Sequence, residues 1–294
     1  MNELYGADPA VCKTASDLRL LLSSFGPYTG RYLANYPTDW SARVRGNFQH
    51  AGDIEVEKIS TLLRRAQESI ALITRANLPW SADREWLENA NLLDFDGLIS
   101  EQIKGMNTYK FDEMELPPTT EERVLGNAAE YLRISKILLV VSPEIAFVDP
   151  YLNPLRRESA VVLSKLFQQI ALGKCRKITL WTRASKVFGS AAVPVIKSDL
   201  TNELKKMAST AQFKSGCEIE MLLVDDDARK SKMHGRYLLS IKGGIRLDQG
   251  FQQLPQGRLV DVAPIGKKSH DALLDIFFSG KHDMPIVEKI FFKV

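Results

Sequence analysis

Apolar residues recur at steps of three and four along some stretches of this chain and run continuously for five to seven positions along others. The first habit predicts helices and the second predicts buried strands. In the first part the clearest helical stretch covers residues 51–77. There Ile54, Val56, Ile59, Leu62, Leu63, Ala66, Ile70 and Ile73 share one face, and Glu55, Lys58, Arg64, Arg65 and Glu68 take the other. Residues 16–22 predict a short helix stopped by Phe25-Gly26-Pro27. After Leu78-Pro79-Trp80, Ser81 is placed to cap another short helix carrying Trp86 and Leu87. Leu116-Pro117-Pro118 is strong punctuation, and Thr119-Thr120-Glu121-Glu122 has the form of a capping box opening a helix through Leu132.

From there strands and helices alternate. The runs 144–148 (EIAFV), 176–182 (RKITLWT) and 218–224 (EIEMLLV) predict strands, separated by amphipathic helices at 154–172 and 195–211. Residues 235–240 and 244–251 predict a hairpin turned at Ile241-Lys242-Gly243-Gly244, followed by a helix at 269–278 and a closing strand at 287–294. Such alternation predicts an α/β fold, a parallel or mixed sheet covered by helices. The expected division is a mainly helical region at 1–135 and an α/β domain at 136–294.

Composition narrows the picture only a little. With 294 residues, 45% apolar and 26% charged, the chain has ordinary globular content and length for about two domains. The net charge of +3 sets 39 basic against 36 acidic residues, so a nucleic-acid argument must rest on a local patch. Cys12, Cys175 and Cys217 are far apart and lack CxxC spacing, which favours reduced thiols over a disulfide framework or zinc site. No stretch reads as a signal peptide or membrane span, and the expected location is cytoplasmic.

Four chain ends carry the candidate chemistry. The three predicted strands end at Asp149-Pro150-Tyr151, at Thr182-Arg183 and at Asp225-Asp226-Asp227, and the hairpin opens with His234-Gly235-Arg236. In open α/β sheets ligands bind outside the carboxyl ends of strands, so Asp149, Arg183 and His234 are expected to converge there. On a strand, His234 and Arg236 would share a face. An imidazole beside a guanidinium offers a nucleophile and an anion clamp without a metal. The bland readings stand beside these. Asp149 also suits a Pro150 turn or a helix cap, and Arg183 a solvated strand end. The aspartate triplet suits an exposed loop, while His270 and His282 suit the surface. Basic residues gather near the motif (Arg229, Lys230, Lys232, Arg236, Lys242, Arg246), a pattern able to track a phosphate backbone, although Asp225–Asp227 and Asp248 lie in the same region.

The segment His234-Gly235-Arg236-Tyr237-Leu238-Leu239-Ser240, followed by Gly243-Gly244-Ile245, resembles the HxKxxxxD signature of the phospholipase D superfamily. It is closest in form to bacterial and phage phospholipase D-like proteins reading HxRYxL(S/T) and then GGI. The likeness covers about half of the chain and implies a phospholipase D-like mixed sheet flanked by helices. It further implies a phosphodiesterase, expected to be a metal-independent nuclease without cofactor, in phage defence or DNA metabolism. His234 would be the nucleophile and Arg236 the phosphoryl ligand. Asp149, Arg183, Lys232, Ser240 and Asp248 are the candidate phosphate-binding residues. Two departures stand out: Arg replaces Lys, and Ile241 occupies the motif's Asp position. Because the superfamily uses two motif histidines and only one copy is present, the expected active form is a homodimer. The alternative is an inactive domain binding nucleic acid or a partner protein as a subunit of a larger complex. A membrane partner is not expected.

Overall fold

The structure is a computed structural model, and it describes all residues except 1, 76–77, 103–106, 118–120, 189–192 and 226–232, with the side chains of 193–195 also left out. It divides into two compact units, Met1–Thr119 and Thr120–Val294. Among the described residues no helix is long and apolar enough to cross a membrane.

The first unit departs from the mainly helical expectation. Its centre is a five-stranded parallel sheet of β1 (Glu3–Ala7), β2 (Arg31–Ala34), β3 (Leu72–Ile73), β4 (Gly97–Ile99) and β5 (Thr108–Tyr109), ordered β3-β2-β1-β4-β5. Helices α1 (Ala15–Ser23), α2 (Trp40–Gly46), α3 (Asp53–Glu68) and α4 (Trp86–Ala90) connect the strands. The core joins Tyr5, Leu18, Leu21, Leu33, Trp40, Ile59, Leu63 and Ile99. Trp40 donates its indole N–H to the Ala7 carbonyl at 2.7 Å, so the largest core side chain leaves no polar atom unpaired. The predicted 51–77 helix stops at Glu68. Ile70 turns to φ 55°, and Leu72–Ile73 leave the helix to pair with Leu33 and Ala34 of β2. Ser81 caps no helix; Glu85 precedes α4.

The second unit holds an eight-stranded mixed sheet. Its strands are β6 (Glu122–Leu125), β7 (Glu144–Val148), β8 (Lys177–Arg183), β9 (Glu218–Val224), β10 (Arg236–Ser240), β11 (Gly243–Leu247), β12 (Leu259–Pro264) and β13 (Ile286–Lys293). The order is β13-β9-β8-β7-β10-β11-β12-β6, with β7, β8 and β9 parallel and every other pairing antiparallel. The connecting helices are α5 (Ala128–Val141), α6 (Arg157–Ala171), α7 (Ala184–Phe188), α8 (Val193–Ala211) and α9 (Lys267–Phe277). Helices α5, α6 and α8 pack in sequence, and α9 lies against β10 and β11. Strand alternation sorts the core. Phe147 meets Phe167 of α6 and Phe251, with ring centroids 6.3 and 5.1 Å away. Val148, Trp181, Leu222 and Leu239 gather on the face that holds Phe277 of α9.

The predicted boundary at 135 is displaced to 119. The residues expected to continue a capped helix, Glu122–Leu125, instead form β6, whose Arg123 lies opposite Asp261 of β12 and bonds it at 2.6 Å. Helix α5 starts only at Ala128, capped by Asn127 Oδ1 accepting from the Glu130 N–H at 2.9 Å. The Thr119-Thr120 part of the expected capping box lies outside the described residues.

Candidate functional site

Register brings the expected chain ends to one edge of the second sheet. Val148 pairs with Trp181 on one side and Tyr237 on the other, and Arg183 pairs with Val224. The residues just beyond these pairs, Asp149, Arg183, Asp225 and the segment leading into Arg236, therefore share that edge. Lys232 and the neighbouring Arg229 and Lys230, like Asp226 and Asp227, lie outside the described residues.

Asp149 is 2% exposed and closes the end of β7 against the loop after β11. Its Oδ1 accepts from the Tyr151 N–H at 2.9 Å, its Oδ2 accepts from the Phe251 N–H at 3.0 Å, and Arg236 Nε lies 3.7 Å from Oδ1. Burial raises its pKa above the ordinary aspartate value, opposed by the two backbone donors and then by Arg236. A side chain at Gly250 would overlap Oδ2 of Asp149, so glycine is required where the loop crosses the carboxylate. The Arg236 guanidinium also donates to the Asp248 carbonyl at 2.9 Å and lies 5.2 Å from the centre of the Tyr151 ring. Asp248 in turn accepts from the Asp261 N–H at 3.0 Å. The structural reading of Asp149 as a turn carboxylate thus has its partners in place, and Arg236 belongs to the same clasp.

His234 stands apart from this clasp. It precedes β10 rather than lying on it, is exposed, and lines a cleft of about 390 Å³ with Met233, Tyr237, Phe277, Lys281 and His282 among the walls. Tyr237 packs with the apolar cluster on the α9 side, so alternation along β10 sends Arg236 to the other face. The shared face expected for His234 and Arg236 does not form, because the strand begins only at Arg236. The Tyr237 hydroxyl folds back over Gly235, where a Cβ would collide with it. Arg183 supports the segment from below by donating Nη2 to the Met233 carbonyl at 3.0 Å.

Two other expectations change. Ser240 is at the far end of β10, about 13 Å along the strand at ~3.3 Å per residue, where it closes the hairpin through Gly243 O at 3.2 Å and Lys242 N at 3.1 Å. It is a turn residue and not part of this edge. Of the two histidines read as surface residues, one is buried and the other half-buried. His270 is 1% exposed, with Nε2 2.7 Å from the Ser240 carbonyl. His282 is half-buried in the wall of the His234 cleft, its ring edge-on to Trp181 at 5.4 Å and 90°. Among the described residues its Nδ1 and the Trp181 Nε1 are both buried without a hydrogen-bond partner. No motif flags His282, because its place depends on the loop between α9 and β13 folding back onto the sheet edge.

The cleft thus holds two imidazoles, a phenol and an ammonium over an apolar floor. That set can attack a phosphorus centre, move a proton and hold an anion. Among the described residues no group of three or more His, Cys, Asp or Glu side chains is placed to hold a metal ion. Neither protein-family models nor curated proteins give a match to this chain.

Proposed function

We propose that the second unit is a phospholipase D-like phosphodiesterase, a nuclease that works through His234 without a metal. The observation that carries this reading is that His234 and His282 line one cleft in one chain. A second imidazole need not then come from a partner copy. In the proposed reaction a His234 ring nitrogen attacks phosphorus, a P–N bond forms, and the P–O bond to the leaving group breaks. His282, protonated, gives its proton to the departing oxygen. Water then attacks the phosphohistidine, its proton passes to His282, and P–N cleavage restores His234. The Lys281 ammonium, on the cleft wall, donates to Asp275 Oδ1 at 3.0 Å and exchanges that exposed partner for the phosphoryl oxygens. Arg236 acts as a positioning residue, since its guanidinium is engaged by Asp149 and the Asp248 carbonyl.

The test is cleavage of single- and double-stranded DNA and RNA in excess chelator. Activity is expected to fall to background in His234→Ala and by about 10²–10⁴-fold in His282→Ala, with circular dichroism unchanged in both. The second reading is a non-catalytic nucleic-acid-binding domain of the same kind. It is favoured by the engagement of Arg236 and by Ile241 at the motif's Asp position. Chelator-resistant binding with no cleavage by the wild-type chain would establish it and overturn the enzyme.

A further inference from the structure

The fold brings together two thiols that sequence spacing leaves unrelated. Cys175 lies just before β8 and Cys217 just before β9. Those strands run parallel, with Lys177 opposite Glu218, and the Glu218 N–H donates to the Arg176 carbonyl at 2.8 Å, so the chain immediately after Cys175 is bonded to the chain immediately after Cys217. Of the groups around them, each thiol has the largest effect on the other's proton affinity. Cys217 is 3% exposed, while Cys175 is half-buried and its thiol donates to the Lys177 carbonyl at 3.2 Å. The Cys217 backbone is held from the other side as well, its carbonyl accepting from the Val294 N–H at 2.9 Å. Residues at the starts of adjacent strands lie within the Cα separation that a disulfide spans.

We propose that Cys175 and Cys217 are a redox-sensitive pair, converted by peroxide-class oxidants into an intramolecular disulfide that staples the starts of β8 and β9. The neighbouring Cys175 thiol lowers the pKa of Cys217, while Cys217 and then burial raise that of Cys175, so Cys217 loses its proton first. Its thiolate attacks a peroxide oxygen: an S–O bond forms, the O–O bond breaks, and the departing hydroxide takes up a proton to leave as water. Cys175 then attacks the Cys217 sulfenic sulfur. The S–S bond forms, the S–O bond breaks, the Cys175 proton goes to the leaving hydroxide, and a second water departs. The two sulfurs supply the two electrons that reduce the peroxide. The pair lies at the strand-start edge, opposite the edge carrying His234, so the staple is independent of any reaction there. Cys12 is an internal control: it belongs to the other unit, is fully buried, and burial pushes its thiol up to about 12.

The full chain is treated with hydrogen peroxide, alkylated without unfolding, then denatured, alkylated with a second reagent, digested and read by mass spectrometry. The expected result is one peptide pair joining Cys175 to Cys217, lost on treatment with dithiothreitol, with Cys12 still a thiol. The oxidised chain is expected to melt at a higher temperature than the reduced chain, a rise absent from both Cys175→Ser and Cys217→Ser. The wild-type peptide map does not depend on either variant folding. Two free thiols after peroxide, sulfinic or sulfonic acid on a single cysteine, or a link between two chains would each overturn the proposal.

Discussion

Asp149 sets the clearest terms for a residue-level test, because three segments close on one carboxylate. The N–H groups of Tyr151 and Phe251 donate to it, Arg236 faces it, and Gly250 passes where no side chain fits. Gly250→Ala forces either the loop or the carboxylate to shift, and a loss of about 1–3 kcal/mol is expected in urea unfolding, the usual cost of overpacking. An unchanged midpoint and slope would refute the clasp. The same carboxylate makes a pH prediction. Its folded pKa is raised, chiefly by burial, so the folded state binds the proton more tightly than the unfolded chain. The stability it contributes is present below the unfolded aspartate value, about 3.9, and is lost as pH rises through the higher folded value. Asp149→Asn cannot titrate. The stability of wild type relative to that variant is therefore expected to fall as pH rises through this window, and a difference that grows instead would contradict the burial account. At this scale the sequence named side chains that reach one sheet edge and left their roles open. His234, Arg236, Asp149 and Arg183 do meet at one edge, but the face each side chain takes depends on where β10 begins.

Elements were legible where burial is symmetric. The runs EIAFV and EIEMLLV coincide with β7 and β9 because a central parallel strand covered on both faces needs a continuous apolar run. The amphipathic helices α6 and α9 differ from their predicted bounds by a few residues at most, as fraying at caps leads one to expect. The first sheet was not legible. Its strands are two to five residues long, and β3 consists of Leu72 and Ile73 alone. Those two residues continue the three-four pattern of α3, so periodicity assigns them to a helix they have already left. Strand β6 hid for a related reason. Glu122 and Arg123 read as helix-opening charges, and only pairing with β12 makes an edge strand of them. Strand β12 itself, LVDVAP, was missed as a short segment between glycine- and proline-rich loops.

On the scale of the whole molecule, the boundary between the units is itself testable. Residues 120–294 produced alone are expected to unfold cooperatively with near-native far-UV dichroism. Residues 136–294, the division suggested by sequence pattern, are expected to lack a cooperative transition, because that cut falls inside α5 and removes β6 from the sheet edge. Cooperative unfolding of the shorter segment would show that α5 and β6 are dispensable. The sequence by itself determined the α/β class of the second unit, its central strands and the chain ends that meet at the sheet edge, because hydrophobic period and strand order are local properties. Only tertiary structure decided that the first unit has a sheet, that His282 joins His234, that Arg236 turns to Asp149, and that Cys175 meets Cys217. Each of these depends on which distant backbone a short segment pairs with. Long-range pairing is settled by the burial and hydrogen bonding of the whole fold, which no window of neighbouring residues contains.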